Sequence, residues 1–133
     1  MNPPGAHRAT VTAPRHAVAE SGDAGASIAD DYGIAVSGVR GLARSGQYGF
    51  SKVGAFGVAT SGPGGCAMAG HDGILILSCW VRGACVTHTA RVGVDGIEPD
   101  TLYRASARGV VRAPGGPTYD RWCALQDVRP LTE

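Results

Sequence analysis

The chain has 133 residues, a formal net charge of +1, 44% hydrophobic residues and only 6% aromatic ones. This is the length of one small domain. Balanced charge argues against a general nucleic-acid binder and against an acidic nucleic-acid mimic, and no run of 18 apolar residues offers a membrane-spanning helix.

The first sixteen residues, MNPPGAHRATVTAPRH, lack the apolar stretch of a secretory signal. They read as a separate N-terminal segment, open to partial disorder. A strict repeat follows. Gly25, Gly33, Gly41, Gly49, Gly57, Gly65 and Gly73 are spaced by eight. Gly22, Gly38, Gly46, Gly54, Gly62 and Gly70 keep the same period, with Asp30 in the missing slot. Two interlocked series of fixed period point to a solenoid. Numbered from the first series, the octads cover 17–80. Position 2 is mostly apolar: Val18, Ile34, Leu42, Phe50, Val58, Cys66 and Ile74. Position 3 is Ala or Ser in every octad but the last, and position 5 is small except at Val53 and Leu77. Position 4 includes Glu20, Arg44 and Lys52. Positions 6 to 8 make the turn.

Side chains alternate faces along a strand, so positions 2 and 4 share one face and positions 3 and 5 the other. Charges cannot line a narrow interior without partners. The Ala/Ser face therefore points inward, and Gly is expected at the corners to supply positive φ. One octad is too short to close a coil, but two suffice. Tyr32, Tyr48 and Trp80 then stack along one edge, opposite Ala24, Arg40, Phe56 and Asp72. One face shows Val18, Ile34, Phe50 and Cys66, and the other Ala26, Leu42, Val58 and Ile74. Four coils span about 19 Å at the usual strand spacing. The expected fold is all-β: a thin two-sided β-solenoid of eight-residue repeats, two per coil, capped by a small C-terminal β-hairpin or sheet. An antiparallel meander fits the same alternation. A polyproline-type bundle fits worse, because it needs a three-residue period.

After Gly73 the pattern changes. Residues 74–81, ILILSCWV, form a continuous apolar run and read as a buried strand. Arg82-Gly83 suits a tight hairpin turn, and an alternating strand follows to about residue 92. LYRASA (102–107) and GVVRA (109–113) read as two more strands. Residues 81–113 are thus a β cap over an edge that would otherwise invite aggregation. Residues 114–133 form a Gly/Pro-led tail with a short helix over Tyr119–Gln126.

GVATSGPG (57–64), GLARSGQY (41–48), HDGILILSCW (71–80) and DGIEPDTLYR (95–104) together resemble the octapeptide-repeat proteins of bacteria and phages. Their repeat reads GTATAG plus two variable residues, and the array ends in a similar terminal segment. The resemblance covers about 17–113 and implies the solenoid architecture, with no established activity. The chain departs from it by placing large apolar or charged residues where the family has Thr.

Catalytic signals are few. No Ser sits in a strand–elbow–helix motif, and His71-Asp72 reads as a polar turn pair. Cys85 and His88 are three apart on a strand, which sets them on opposite faces. The four cysteines read as reduced and structural, although Cys79 and Cys85 flank a hairpin and leave a disulfide open. Asp23, Asp30 and Asp31 lack the repeated Asp of calcium-binding β-rolls. No phosphate-cradling glycine loop occurs. No metal or cofactor is expected. Arg104, Arg108 and Arg112 would share one face of an uninterrupted strand near a stacking edge, but Asp95, Glu98 and Asp100 cancel most of that charge.

The strongest functional signal is the outward apolar stripe with charges beside it. The candidate interaction residues are Tyr32, Ile34, Leu42, Arg44, Tyr48, Phe50, Lys52 and Val58. Either the two tails cover this stripe, or a second copy or another protein does. The expected function is a non-enzymatic protein–protein interaction module in a bacterial cytoplasm. In its narrower form it is a phage or mobile-element inhibitor of a bacterial defence complex, of the anti-CRISPR kind, acting by steric blocking. The alternatives are a self-associating or ice-binding solenoid, which would want more outward Thr than Thr60, and an enzyme with a site in the cap around Cys85, His88 and Asp95.

Overall fold

Each octad forms one short strand and one turn. A computed structural model describes residues 10–115 and 117–125; the remainder of the N-terminal segment and the tail beyond residue 125, including Gln126 of the expected helix, lie outside the described residues. The strands are β1 (Thr10–Ala13), β2 (Val18–Glu20), β3 (Ala26–Ala29), β4 (Ile34–Val36), β5 (Leu42–Ser45), β6 (Phe50–Lys52), β7 (Val58–Pro63), β8 (Cys66–Met68), β9 (Ile74–Val81), β10 (Ala84–Arg91), β11 (Tyr103–Ser106) and β12 (Gly109–Arg112), followed by the helix α1 (Pro117–Leu125). Octads two apart pair in parallel and in register. Val18 lies beside Ile34, Ile34 beside Phe50 and Phe50 beside Cys66. Ala26, Leu42, Val58 and Ile74 form the equivalent file opposite. The result is a two-sided β-solenoid of about four turns. Its front sheet has the order β1-β3-β5-β7-β9-β10 and its back sheet β12-β11-β8-β6-β4-β2. β1 pairs with β3, so the solenoid begins half a coil before the first octad.

The interior is as narrow as its side chains. Ala19, Ala35, Ala43, Ala59 and Ala67 are fully buried between the sheets. The buried serines satisfy their hydroxyls across the gap. Ser27 donates to the Val36 carbonyl and Ser37 to the Leu42 carbonyl, each at 2.7 Å. Ser51 donates to the Thr60 carbonyl at 2.7 Å and Ser61 to the Cys66 carbonyl at 2.6 Å. Leu75 and Leu77 close the core with bulk at the cap end.

The turns assign glycine a different task from the one expected. The N–H of position 1 donates to the carbonyl of position 6, as from Gly41 to Gly38 at 3.1 Å. This β-turn takes positive φ at its third residue, which is position 8; among the octads within 17–72 that position is a glycine only at Gly64, with φ of 79°. Tyr32, Arg40, Tyr48 and Phe56 have φ of 57°, 59°, 57° and 60°. Their N–H groups are held by position-7 carbonyls one coil on, as from Tyr32 to Gln47 at 2.8 Å. The repeated glycines instead permit close approach. A Cβ on Gly33 would lie 2.6 Å from the Asp30 carbonyl oxygen, and one on Gly62 would lie 2.8 Å from the carbonyl carbon of Gly46 on the neighbouring coil.

Both parallel sheets end in an antiparallel strand. The register between β7 and β9 shifts between Ser61 and Pro63, and β9 continues straight into a hairpin with β10. In the back sheet, β11 pairs antiparallel with β8 and β12. Trp80 therefore lies on a strand and does not join the edge stack. That stack is His16, Tyr32 and Tyr48, with ring centroids 5.0 and 5.4 Å apart. On the other edge, the Arg40 guanidinium lies 5.8 Å from the Phe56 ring centroid.

Candidate functional site

Positions 2 and 4 of every octad point away from the Ala/Ser interior, so each sheet presents an outer face. The two outer faces have different surroundings. On the back sheet, α1 crosses the position-2 file. Phe50 meets Tyr119 edge-on at 5.2 Å and Trp122 at 5.4 Å between centroids. Ile34 and Phe50 are fully buried, in one cluster with Cys66, Met68, Leu102 and Ala113. Two polar contacts fix the helix to the aromatic edge. Thr118 Oγ1 donates to the Tyr48 carbonyl at 2.6 Å and Arg121 Nη2 to the Tyr32 carbonyl at 2.8 Å. Burial pushes the Cys66 thiol up, against the nearby Arg104 guanidinium. A hydrogen bond with Cys123, and then burial, raises the Tyr119 phenol. Both groups stay protonated and neutral under this cover.

This corrects the expectation for Ile34 and Phe50. They are core residues of the helix–sheet interface, and no partner can reach them while α1 is in place. Lys52 is half-buried on the same face. Tyr32 and Tyr48 remain partly exposed, but their rings face each other and their carbonyls hold α1.

The front sheet has no such cover among the described residues. Leu42 is 41% exposed and Ile28 37%. Val58, Ile74 and Ile76 are half-buried, and Arg44 is exposed. Trp80, 52% exposed, stands on β9 at the cap end of the same face. An open groove of about 610 Å³ follows the position-4 file. Ile28, Arg44, Thr60 and Ile76 form its floor, and the Asp31 and Gln47 turns flank it. The Arg44 guanidinium has no hydrogen bond or ion pair among the described residues. Of the candidate residues, the structure thus groups Leu42, Arg44 and Val58 on an accessible face. It adds Ile28, Ile76 and Trp80, which the position-2 stripe alone did not single out. On the back sheet the tail alternative holds, with Tyr119 and Trp122 of α1 seated on Phe50; what the sequence left open was which face the tail covers.

The cap brings the suspected catalytic residues together only in part. His88 lies opposite Leu77 on the inner side of β10, and Cys85 lies opposite the exposed Trp80 on the outer side. His88 and Asp95 line a cavity of about 460 Å³ with Ile97 and Val110. His88 Nε2 is buried there with no hydrogen-bond partner. Cys79 pairs with Val86 on the inner side, so it cannot bridge to Cys85 without moving the backbone. The three arginines do not share a face. Arg104 lies opposite Val111, Arg108 falls in the hairpin turn, and Arg112 donates to Glu98 Oε1 at 2.6 Å. Among the described residues, no three His, Cys, Asp or Glu side chains converge as a metal site, and no helix is long and apolar enough to cross a membrane. Comparison of the chain with protein-family models, curated proteins and solved structures finds no match.

Proposed function

We propose that the protein is a non-catalytic protein–protein interaction module whose working surface is the outer face of the front sheet. One observation carries this reading. The chain covers the apolar file of its back sheet with its own helix, while among the described residues nothing equivalent covers the file of the front sheet. Parallel sheets are usually covered on both faces, and contiguous exposed apolar surface marks interaction sites. Leu42, Val58, Ile28 and Ile76 supply the apolar centre, while Arg44 and Asp31 supply charge beside it. The stacked coils cross-link every turn to the next, so the face binds as a rigid wall with little ordering cost. Such a wall acts on an enzyme by covering its site. The narrower proposal, a steric inhibitor of a bacterial defence complex, rests on that mode of action and on the likeness to bacterial and phage octapeptide repeats.

The test is affinity capture from a bacterial lysate with the wild-type chain and with Leu42→Asp and Val58→Asp, each first shown to be folded by circular dichroism. A partner retained by the wild type and released by both variants supports the proposal. A partner retained equally by all three overturns it.

A further inference from the structure

The two ends of the solenoid are not equally blunt. Terminal strands β1, β2 and β12 have four, three and four residues. Short edges of this kind give little template for pairing. β10, the last strand of the front sheet, has eight residues and is paired only to β9 among the described residues. Residues 83–90 contain no Lys, Arg, Asp, Glu or Pro. The usual devices that spoil an edge are missing there.

The hairpin fixes which backbone groups are free. The turn residues Arg82 and Gly83 have φ of 51° and 83°, as in a two-residue type I′ turn, and this makes Val81 and Ala84 a hydrogen-bonded pair. Pairs alternate from there, so Val86, His88 and Ala90 aim their backbone groups at β9. The Val92 N–H, which donates to the Gly73 carbonyl at 2.9 Å, keeps the same parity. Cys85, Thr87 and Thr89 therefore aim their N–H and C=O groups at the open edge.

We propose that β10 pairs antiparallel with β10 of a second copy of this chain, about a two-fold axis normal to the front sheet. Directly opposed residues share a face, so the axis falls on a residue. Placed on Thr87, it sets Thr87 against Thr87 of the second copy and Cys85 against Thr89. Every outward backbone group on these residues then meets another. Cross-strand Thr pairs are favourable, and Arg91 falls opposite Gly83, so no like charges meet. An axis on His88 would oppose two imidazoles instead. Two front sheets joined this way form one twelve-stranded sheet, and the two bare faces become one wall. The pairing is independent of what that wall binds.

The test is light scattering after size exclusion over a dilution series, with amide exchange read at Cys85, Thr87 and Thr89. The expected result is twice the chain mass at high concentration, falling twofold on dilution, with those amides slowed only in the dimer. Thr87→Pro removes an outward N–H that β9 does not use. Thr87→Lys sets two ammonium groups against each other and covers the case in which proline disturbs the hairpin. Both should give monomers with unchanged circular dichroism, while Leu42→Asp should leave the dimer intact. A monomer throughout with fast exchange at these amides overturns the proposal. So does a dimer that survives Thr87→Lys, or one that Leu42→Asp abolishes.

Discussion

The two outer faces of the solenoid start from the same repeat and end in opposite environments. Ile34 and Leu42 both occupy position 2, one octad apart. Ile34 is fully buried and Leu42 is 41% exposed. The repeat does not distinguish them. What distinguishes them is the route of the chain after the last coil, which carries α1 back across the β4 and β6 strands. Position 2 thus tells which way a side chain points, and the tail tells whether anything lies there. A repeat whose thin interior holds mostly Ala and Ser buries little apolar area per residue. The Phe50, Tyr119 and Trp122 cluster gives the back side a second core of larger side chains. Among the described residues the front side has no such addition, and Leu42 and Ile28 stay partly exposed there.

Substitutions in matching positions should break this symmetry, and the largest effect belongs to the covered face. Phe50→Ala should cost about 3–5 kcal/mol, the usual range for emptying a buried aromatic site, and Phe50→Asp should leave no folded protein in a urea titration. Removing residues 114–133 uncovers Ile34, Phe50 and Met68 together. That variant should keep its β circular dichroism, melt at lower temperature and bind more of a hydrophobic dye than the full chain does. Thr118→Val deletes the hydroxyl that holds α1 to the Tyr48 carbonyl and should cost about 1 kcal/mol, the typical worth of one such bond. Leu42→Asp should cost about 1 kcal/mol or less, as surface strand positions do. A Leu42 effect as large as that of Phe50 would erase the distinction between the faces.

The architecture was legible because an unbroken period of eight constrains several levels at once. Two octads per coil, the inward Ala/Ser files and the composition of both faces follow from spacing and alternation. Three features did not follow. Glycine marks close approach between neighbouring coils and turns, and the left-handed corner falls on Tyr32, Arg40, Tyr48 and Phe56; composition alone suggests the reverse. Trp80 shares the sixteen-residue spacing of Tyr32 and Tyr48, but the shift at Pro63 takes β9 out of the repeat, so the spacing no longer maps to an edge. Ile34 and Phe50 looked as available as Leu42 and Val58, because their cover comes from a helix far along the chain. Contacts such as Arg121 with the Tyr32 carbonyl have no local signature. The accessible part of the candidate site, Leu42, Arg44 and Val58, needed only the alternation rule.

Hydroxyl-radical footprinting of the dilute, monomeric chain tests the contrast between the faces most directly, because it reads side-chain exposure without any substitution. Ile28, Leu42 and Trp80 should be oxidised rapidly, while Ile34 and Phe50 in the same sample are protected. Equal protection of Leu42 and Phe50 would show that the front face is covered as well, and would contradict the proposal that it is the working surface.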